Sequence, residues 1–266
     1  MKLSFPLPAL QLLSAFIVGC AALIAPQSAF SQAPAAGPDY VILKPASATA
    51  QPQQLANVLV VAVRGTKVAI KNAQGEISYD LGQIQEVRKA APAEFTQGQR
   101  AIEAGKLEEA RPLIKGIADR YKGLPTAWAG DATAMLGNIY ISLGKLPEAE
   151  AAFNDFQKAY PSAGSNATGV GKARLAAERG NFAEAKTVAE PLVADALTKK
   201  TVTRAESQLY GQAFYVLGRV AEGEGKFPEA MENYCRTVAI FYQERSVVTE
   251  AQKRIDALRQ KGITTP

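Results

Sequence analysis

A six-residue phrase occurs four times in this chain. Each copy begins with a glycine, has Leu or Phe at its third position and ends with Glu-Ala. The copies occupy residues 105–110, 144–149, 180–185 and 225–230, so their glycines are 39, 36 and 45 residues apart. Self-similarity at this spacing indicates a stacked repeat, and it constrains the fold more than any local pattern does.

The residue types of the phrase suit a corner between two helices. Glycine can adopt the left-handed conformation that ends a helix, because it has no Cβ to clash. Pro147 and Pro228 stand where the next helix would begin, and proline is tolerated in a first turn. The glutamate that follows lies near the positive end of the new helix dipole. Each phrase therefore predicts two antiparallel helices that meet closely at the small alanine.

The second and fourth copies carry a longer pattern around the corner. Its residues are Leu136, Gly137, Asn138, Ile139, Tyr140, Ala149, Phe153 and Pro161, and then Phe214, Leu217, Gly218, Ala230 and Tyr234. This pattern resembles the tetratricopeptide repeat signature, and the first and third copies are weaker matches. The resemblance covers about residues 93–245 and implies a mainly α fold, an α-solenoid of about four helix pairs.

The apolar spacing after Pro92 is helical. Helices are predicted at 93–104, 107–121, 126–143, 147–160, 166–179, 182–196, 205–224 and 227–244. A final amphipathic helix, within residues 246–261, has the charged outer side expected of a helix that caps the last repeat. Trp128, the single tryptophan, is predicted to belong to the core between repeats.

The residue pattern before the repeats is typical of β-structure instead of helix. Residues 40–89 contain short runs of alternating apolar and polar residues, separated by turn sequences at 64–66 and 72–75. They predict a small β-module of four or five strands, whose order resembles SH3-like or Sm-like barrels. A module of this size buries little surface alone, so we expect it to lean on the first repeat.

The N-terminus has the layout of an exported protein. Residues 1–31 resemble a signal peptide, with Lys2, an apolar run over 10–24 and a small-x-small site at 29–31. An Ala- and Pro-rich linker follows over 32–39. Ile17 to Cys20 also resembles a lipobox, which would make Cys20 a lipidation site, although the apolar run continues beyond it. Both interpretations stay open, and both predict export to the periplasm or the outer membrane.

Composition restricts the chemistry. The chain has no histidine, which removes the commonest general base and zinc ligand. Cys235 would be the only cysteine of the processed chain, and no phosphate-binding loop is present. We expect no enzyme activity, no metal and no cofactor. The net charge is +5, and the Lys and Arg residues are interspersed with acidic residues instead of forming a basic stripe. We therefore expect no nucleic-acid partner.

In the family that the repeats resemble, the first helix of each pair lines a groove for a peptide or a partner's helix. The position six residues before each corner glycine is Gln99, Asn138, Arg174 and Arg219. Two arginines in such a ladder suit a carboxylate, so the groove is predicted to take an acidic side chain or a C-terminal carboxylate, with Tyr215 as an apolar wall. The alternative is that the four residues are ordinary solvated positions on their helices.

These patterns favour a non-enzymatic interaction scaffold of the bacterial cell envelope. Residues 153–162 are similar to helix ends in exported repeat proteins of the outer-membrane assembly and Tol-Pal-associated types. The alternative is a structural or self-assembling protein, whose groove packs against itself or another copy. An enzyme is the third interpretation, and the missing histidines argue against most versions of it.

Overall fold

The computed structural model describes residues 38–47, 49–161, 166–242 and 245–264. The predicted signal peptide, its Cys20 and most of the predicted linker lie outside these residues. No helix within the described part is long and apolar enough to cross a membrane.

Five antiparallel strands form the N-terminal sheet, in the order β4-β3-β2-β1-β5. The strands are β1 (Asp39–Leu43), β2 (Gln53–Arg64), β3 (Lys67–Asn72), β4 (Gly75–Asp80) and β5 (Ile84–Arg88), with a single 3₁₀ turn at Leu81–Gln83 before β5. Both predicted turns are present: Gly65 has a positive φ of 63°, and the Asn72 side chain accepts hydrogen bonds from the Gln74 and Gly75 amides. The likeness to SH3-like or Sm-like barrels stays a prediction.

The second strand, Gln53–Arg64, is longer than the apolar run over residues 58–63 predicts. Its polar first half pairs with β1, and its second half pairs with β3. The register with β1 shifts between the pairs Asp39–Val58 and Val41–Leu55, where Asn57 has a φ of 56°. This bulge lies between the half of β2 that pairs with β1 and the half that pairs with β3.

The sheet and the first repeats share one hydrophobic core, as expected for so small a module. Val41, Val60 and Ile70 belong to the same buried cluster as Phe95 and Ile114. Trp128 packs against this cluster, and its indole N–H donates a 2.9 Å hydrogen bond to the carbonyl of Lys89, at the end of β5. Trp128 is thus a core residue that joins the sheet to the repeats.

The remainder of the described chain is helical. Its nine helices are α1 (Ala93–Glu103), α2 (Leu107–Arg120), α3 (Ala127–Ser142), α4 (Leu146–Ala159), α5 (Asn166–Glu178), α6 (Phe182–Thr198), α7 (Arg204–Gly223), α8 (Phe227–Ile240) and α9 (Arg245–Gln260). They form four antiparallel pairs and a last helix, which confirms the predicted fold class.

All four corners have the same geometry. The corner glycines have φ between 72° and 81°, and each corner residue that follows donates its amide hydrogen back across the last helical turn, as in Lys145 to Tyr140 at 2.8 Å. This is the Schellman arrangement, which requires a left-handed residue and so explains the glycine. The corner alanines are fully buried, so each pair of helices packs closely there.

Two features of the last repeat depart from the prediction or extend it. Helix α8 ends at Ile240 instead of 244, because Phe241 leaves the helix to stack on Phe214, with ring centroids 5.5 Å apart. Helix α9 buries its predicted apolar side against α8. The buried residues of that side are Val247, Ala251, Ile255 and Leu258.

Candidate functional site

The first helices of the four pairs surround a cavity of about 890 Å³, which we call the inner cavity. Its walls come mainly from α1, α3 and the first half of α7, with one residue each from α2, α5 and α9. The apolar lining residues are Ile102, Leu107, Ala134, Met135, Ile139, Val170, Ala205 and Leu209. The polar and charged ones are Thr96, Gln99, Arg100, Glu103, Asp131, Asn138, Ser142, Arg204, Glu206, Gln208, Gln212 and Arg245.

The structure divides the five predicted groove residues into two groups. Gln99 and Asn138 line the inner cavity. Arg174, Tyr215 and Arg219 do not line it; they belong to an internal network of arginines, glutamates and tyrosines. We call it the arginine–glutamate network, and its members are Arg174, Glu178, Tyr215, Arg219, Glu222, Tyr234, Glu250 and Arg254.

Arg174 is the buried centre of this network. Its side chain is fully buried, and its Nη2 donates hydrogen bonds to Ser142 Oγ at 2.9 Å and to Glu250 Oε2 at 2.7 Å. The guanidinium also lies over the Tyr215 ring, 5.3 Å from its centroid. Burial disfavours the charged form of Glu250, but the Arg174 charge and its hydrogen bonds hold the pKa of that carboxyl below its usual value.

Arg219 forms a two-pronged ion pair in the same network. Its Nε donates a 3.0 Å hydrogen bond to Glu178 Oε1, and its Nη2 donates a second 3.0 Å bond to Glu178 Oε2. Its Nη1 donates a 3.3 Å bond to Glu222, which also accepts from Tyr234. Burial alone would lower the pKa of Arg219, but its pairing with Glu178 raises it. This planar geometry is the strong form of an arginine–carboxylate pair.

The network uses the carboxylates of the chain itself where an acidic ligand was predicted. Glu250 and Arg254 come from α9, so the last helix is docked against α5 and α7 through charge as well as apolar packing. A partner could reach Arg174 only by displacing α9. A binding role for the five residues stays a prediction. Gln99 and Asn138 are better placed for it than the other three, because they line the inner cavity.

Two amide side chains on facing elements offer free hydrogen-bonding capacity in the inner cavity. Asn138 Oδ1 on α3 and Gln212 Oε1 on α7 are buried, and neither has a hydrogen-bond partner among the described residues. Buried acceptors normally have partners, so these two oxygens stand out among the groups that line the cavity. The predicted groove positions do not include Gln212, because it lies 13 residues before its corner glycine instead of six.

Several charged residues that line the inner cavity are paired with other residues of the chain. Arg204 pairs with Glu103 at 3.3 Å, which links α7 to α1, and Glu206 accepts from Thr203 and Lys199. These hydrogen bonds lower the pKa of Glu206 to about 2, and the bonds from Thr203 have the larger effect.

Asp131 stands apart from these pairs. It forms no ion pair or hydrogen bond with any residue that the structure describes. Desolvation by the surrounding protein raises the pKa of its carboxyl. Asp131 and Gln212 hold equivalent positions in their repeats, counted back from Gly144 and Gly225.

A second cavity, of about 510 Å³, lies between the sheet and residues 89–92, which connect the sheet to α1. Asp39 and Lys89 at its wall form a nearly buried ion pair at 2.9 Å, and Asp39 also accepts from the Val60 amide. These bonds hold the start of β1 to β2 and to the end of the sheet. Within the described part of the chain, no cluster of His, Cys, Asp and Glu could hold a metal ion.

Comparison with known proteins agrees with the repeat geometry. A sequence model of the tetratricopeptide repeat matches residues 95–164 and 170–244, more than half of the chain. No curated protein matches the chain in sequence. Two solved structures are similar to it: MamA 41-end from Desulfovibrio magneticus RS-1, at 17% identity, and the MamA RS-1 ArsTM double mutant, at 16%.

Each of these similarities covers 65% of this chain and 98% of the other, with a TM-score of 0.33. The family is shown by the sequence match over the repeats. The chain belongs to the tetratricopeptide repeat family.

Proposed function

We propose that this protein is an exported scaffold that binds a peptide or an extended partner segment in the inner cavity. Repeats of this family typically mediate protein–protein interaction and are typically not enzymes. Because one repeat fold hosts many different partners, the proposal must rest on the site itself.

The observation that carries the proposal is the pair of unpartnered amide oxygens on two walls of one cavity. A turn of either amide would bring its buried oxygen to the cavity, where it could accept a hydrogen bond from a backbone N–H of an extended segment. A bound segment would satisfy both oxygens at once, and each bond contributes about 1 kcal/mol. Met135, Ile139 and Leu209 supply apolar wall between the polar points.

The size of the cavity fits a short segment rather than a whole domain. About 890 Å³ is within the upper range of ligand pockets, roughly 300–1,000 Å³. A segment of a few residues fills such a space, while the rest of the partner stays outside. Gln99 and Thr96 on α1 extend the polar wall in the direction of the sheet.

The proposed location rests on the N-terminal sequence. Lys2, the apolar run over 10–24 and the small residues at 29 and 31 support export across a bacterial inner membrane. We therefore propose the periplasm, or the outer membrane if Cys20 is lipidated.

Site-directed photocrosslinking in the cells that make the protein tests the proposed site. A photoreactive amino acid at Gln99 faces the inner cavity, and the same amino acid at Gln157 on α4 is an exposed control outside it. We expect a crosslinked partner from position 99 that is reduced when Asn138→Ala and Gln212→Ala are added.

Crosslinking that is equal at both positions, or that persists in the double variant, would contradict the proposal. A product that contains only a second copy of this chain would support the self-assembly alternative.

A further inference from the structure

The unpaired charges of the inner cavity differ in position and sign, and they bear on what the bound segment must carry. This inference rests on the proposed function and adds the chemistry of the ligand. The sequence alone predicted an acidic segment, because Arg174 and Arg219 were expected to face it. Both arginines are held by Glu178, Glu222 and Glu250 instead.

Asp131 is the acidic group that the cavity leaves without a partner. It lies on α3 two helical turns before Asn138, on the same face and about 10 Å along the helix axis. Gln212 adds a second acceptor oxygen from α7. Asp131 thus lines the same cavity as two side chains whose buried amide oxygens have no described partner.

We propose that the bound segment places one basic side chain, Lys or Arg, against Asp131 while its neighbouring backbone N–H groups face Asn138 and Gln212. The separation between Asp131 and Asn138 suits this arrangement, because an extended lysine reaches roughly 6 Å from its backbone. An ammonium or guanidinium group offers several donors to this exposed, unpaired carboxylate, which acidic and apolar side chains cannot do.

Two arginines limit the proposal to a single basic residue. Arg100 on α1 and Arg245 at the start of α9 also line the cavity, and neither forms an ion pair with a described residue. They would repel a run of basic residues. The segment we infer therefore has one Lys or Arg with neutral or acidic flanks.

A peptide selection on the full protein tests this inference. The probe is a library of acetylated and amidated heptapeptides whose central residue is Lys, Arg, norleucine, Gln or Glu and whose flanks are random. We expect Lys or Arg to be enriched at the centre on the wild-type protein. We expect that preference to fall at least fivefold on Asp131→Asn. Glu148→Gln on α4 removes the same charge outside the cavity and should leave the preference unchanged.

The outcomes separate this inference from the proposed function. Peptides that need Asn138 and Gln212 but select Glu or norleucine would overturn the inference and leave the proposed function standing. A basic preference that is equal in wild type and Asp131→Asn would also overturn it. If no peptide depends on Asn138 and Gln212, both the inference and the proposed function fail. Circular dichroism of each variant shows whether it has folded.

Discussion

Arg174 of α5 and Glu250 of α9 are joined by a 2.7 Å hydrogen bond, with the arginine side chain fully buried. The two residues are 76 positions apart in the chain, and their pairing ties the last helix to the third repeat. The last helix therefore caps the solenoid and also supplies the carboxylate that pairs with the buried Arg174.

Removing the Glu250 carboxylate should destabilise the protein strongly. Glu250→Ala leaves the buried Arg174 charge without its partner, and breaking a buried ion pair in this way costs about 3 kcal/mol or more. Urea unfolding measures the change. Glu232→Ala breaks the more exposed Arg236–Glu232 pair and should cost less than about 1 kcal/mol. Equal losses of unfolding free energy in the two variants would show that the buried pair contributes no more to stability than the exposed one.

The same network makes stability depend on acid pH. The pKa values of Glu222 and Glu250 lie below 4.5 in the folded protein, although burial opposes this, because arginines and hydrogen bonds hold both groups ionised. Their stabilisation is complete above the unfolded value of about 4.5 and is lost as the pH falls through the folded values. The difference in unfolding free energy between wild type and Glu250→Gln should therefore shrink below pH about 4.5. A difference that is constant from pH 7 to pH 3 would contradict this assignment.

A helical glycine within the second repeat should tolerate no side chain. A Cβ at Gly137 would lie 2.5 Å from the Phe153 ring, which is itself fully buried. Gly137→Ala should cost about 1–3 kcal/mol through overpacking. Gly116→Ala on α2 meets no atom within 4 Å and should stabilise the protein by about 0.5–1 kcal/mol. Thermal unfolding of the two variants checks the opposite signs, and the same sign in both would count against this packing.

The repeat corners could be predicted from sequence because their cause is local. A helix that ends in a left-handed residue strongly prefers glycine, so Gly105, Gly144, Gly180 and Gly225 reveal the four helix pairs without any tertiary information. The alternation of residues 67–71 and the turn at 72–75 reveal a hairpin for a similar reason. The length of β2 could not be predicted, because its polar half is held by pairing with β1 and not by burial.

The arginine–glutamate network could be predicted only in part. Glu222 follows Arg219 by about one helical turn and pairs with it, so this contact within one helix could be predicted from the sequence. The pairs Arg219–Glu178 and Arg174–Glu250 join different helices, so they could not. The return of α9 to the inner side of the repeats depends on how the last helix packs, which no local pattern encodes. Gln212 and Asp131 become recognisable only when more than one position of each repeat is compared.

The proposed export predicts the start of the mature protein. We expect the chain purified from a bacterial envelope to begin close to Gln32, and Cys20→Ser should leave its N-terminus and location unchanged. Mass spectrometry of the intact protein checks both points. A mature chain that begins with an acylated Cys20 would establish the lipoprotein interpretation. A chain that retains residues 1–31 in the cytoplasm would contradict export.

Binding to the inner cavity is the central claim, and the affinity of one peptide tests it most directly. The peptide is the segment that crosslinks at Gln99, titrated calorimetrically into wild type, Asn138→Ala with Gln212→Ala, and the matched control Asn154→Ala with Gln157→Ala on the exposed side of α4. Loss of two hydrogen bonds should weaken binding about tenfold or more in the cavity variant, and the control should bind like wild type. Equal affinity for all three proteins would contradict the account.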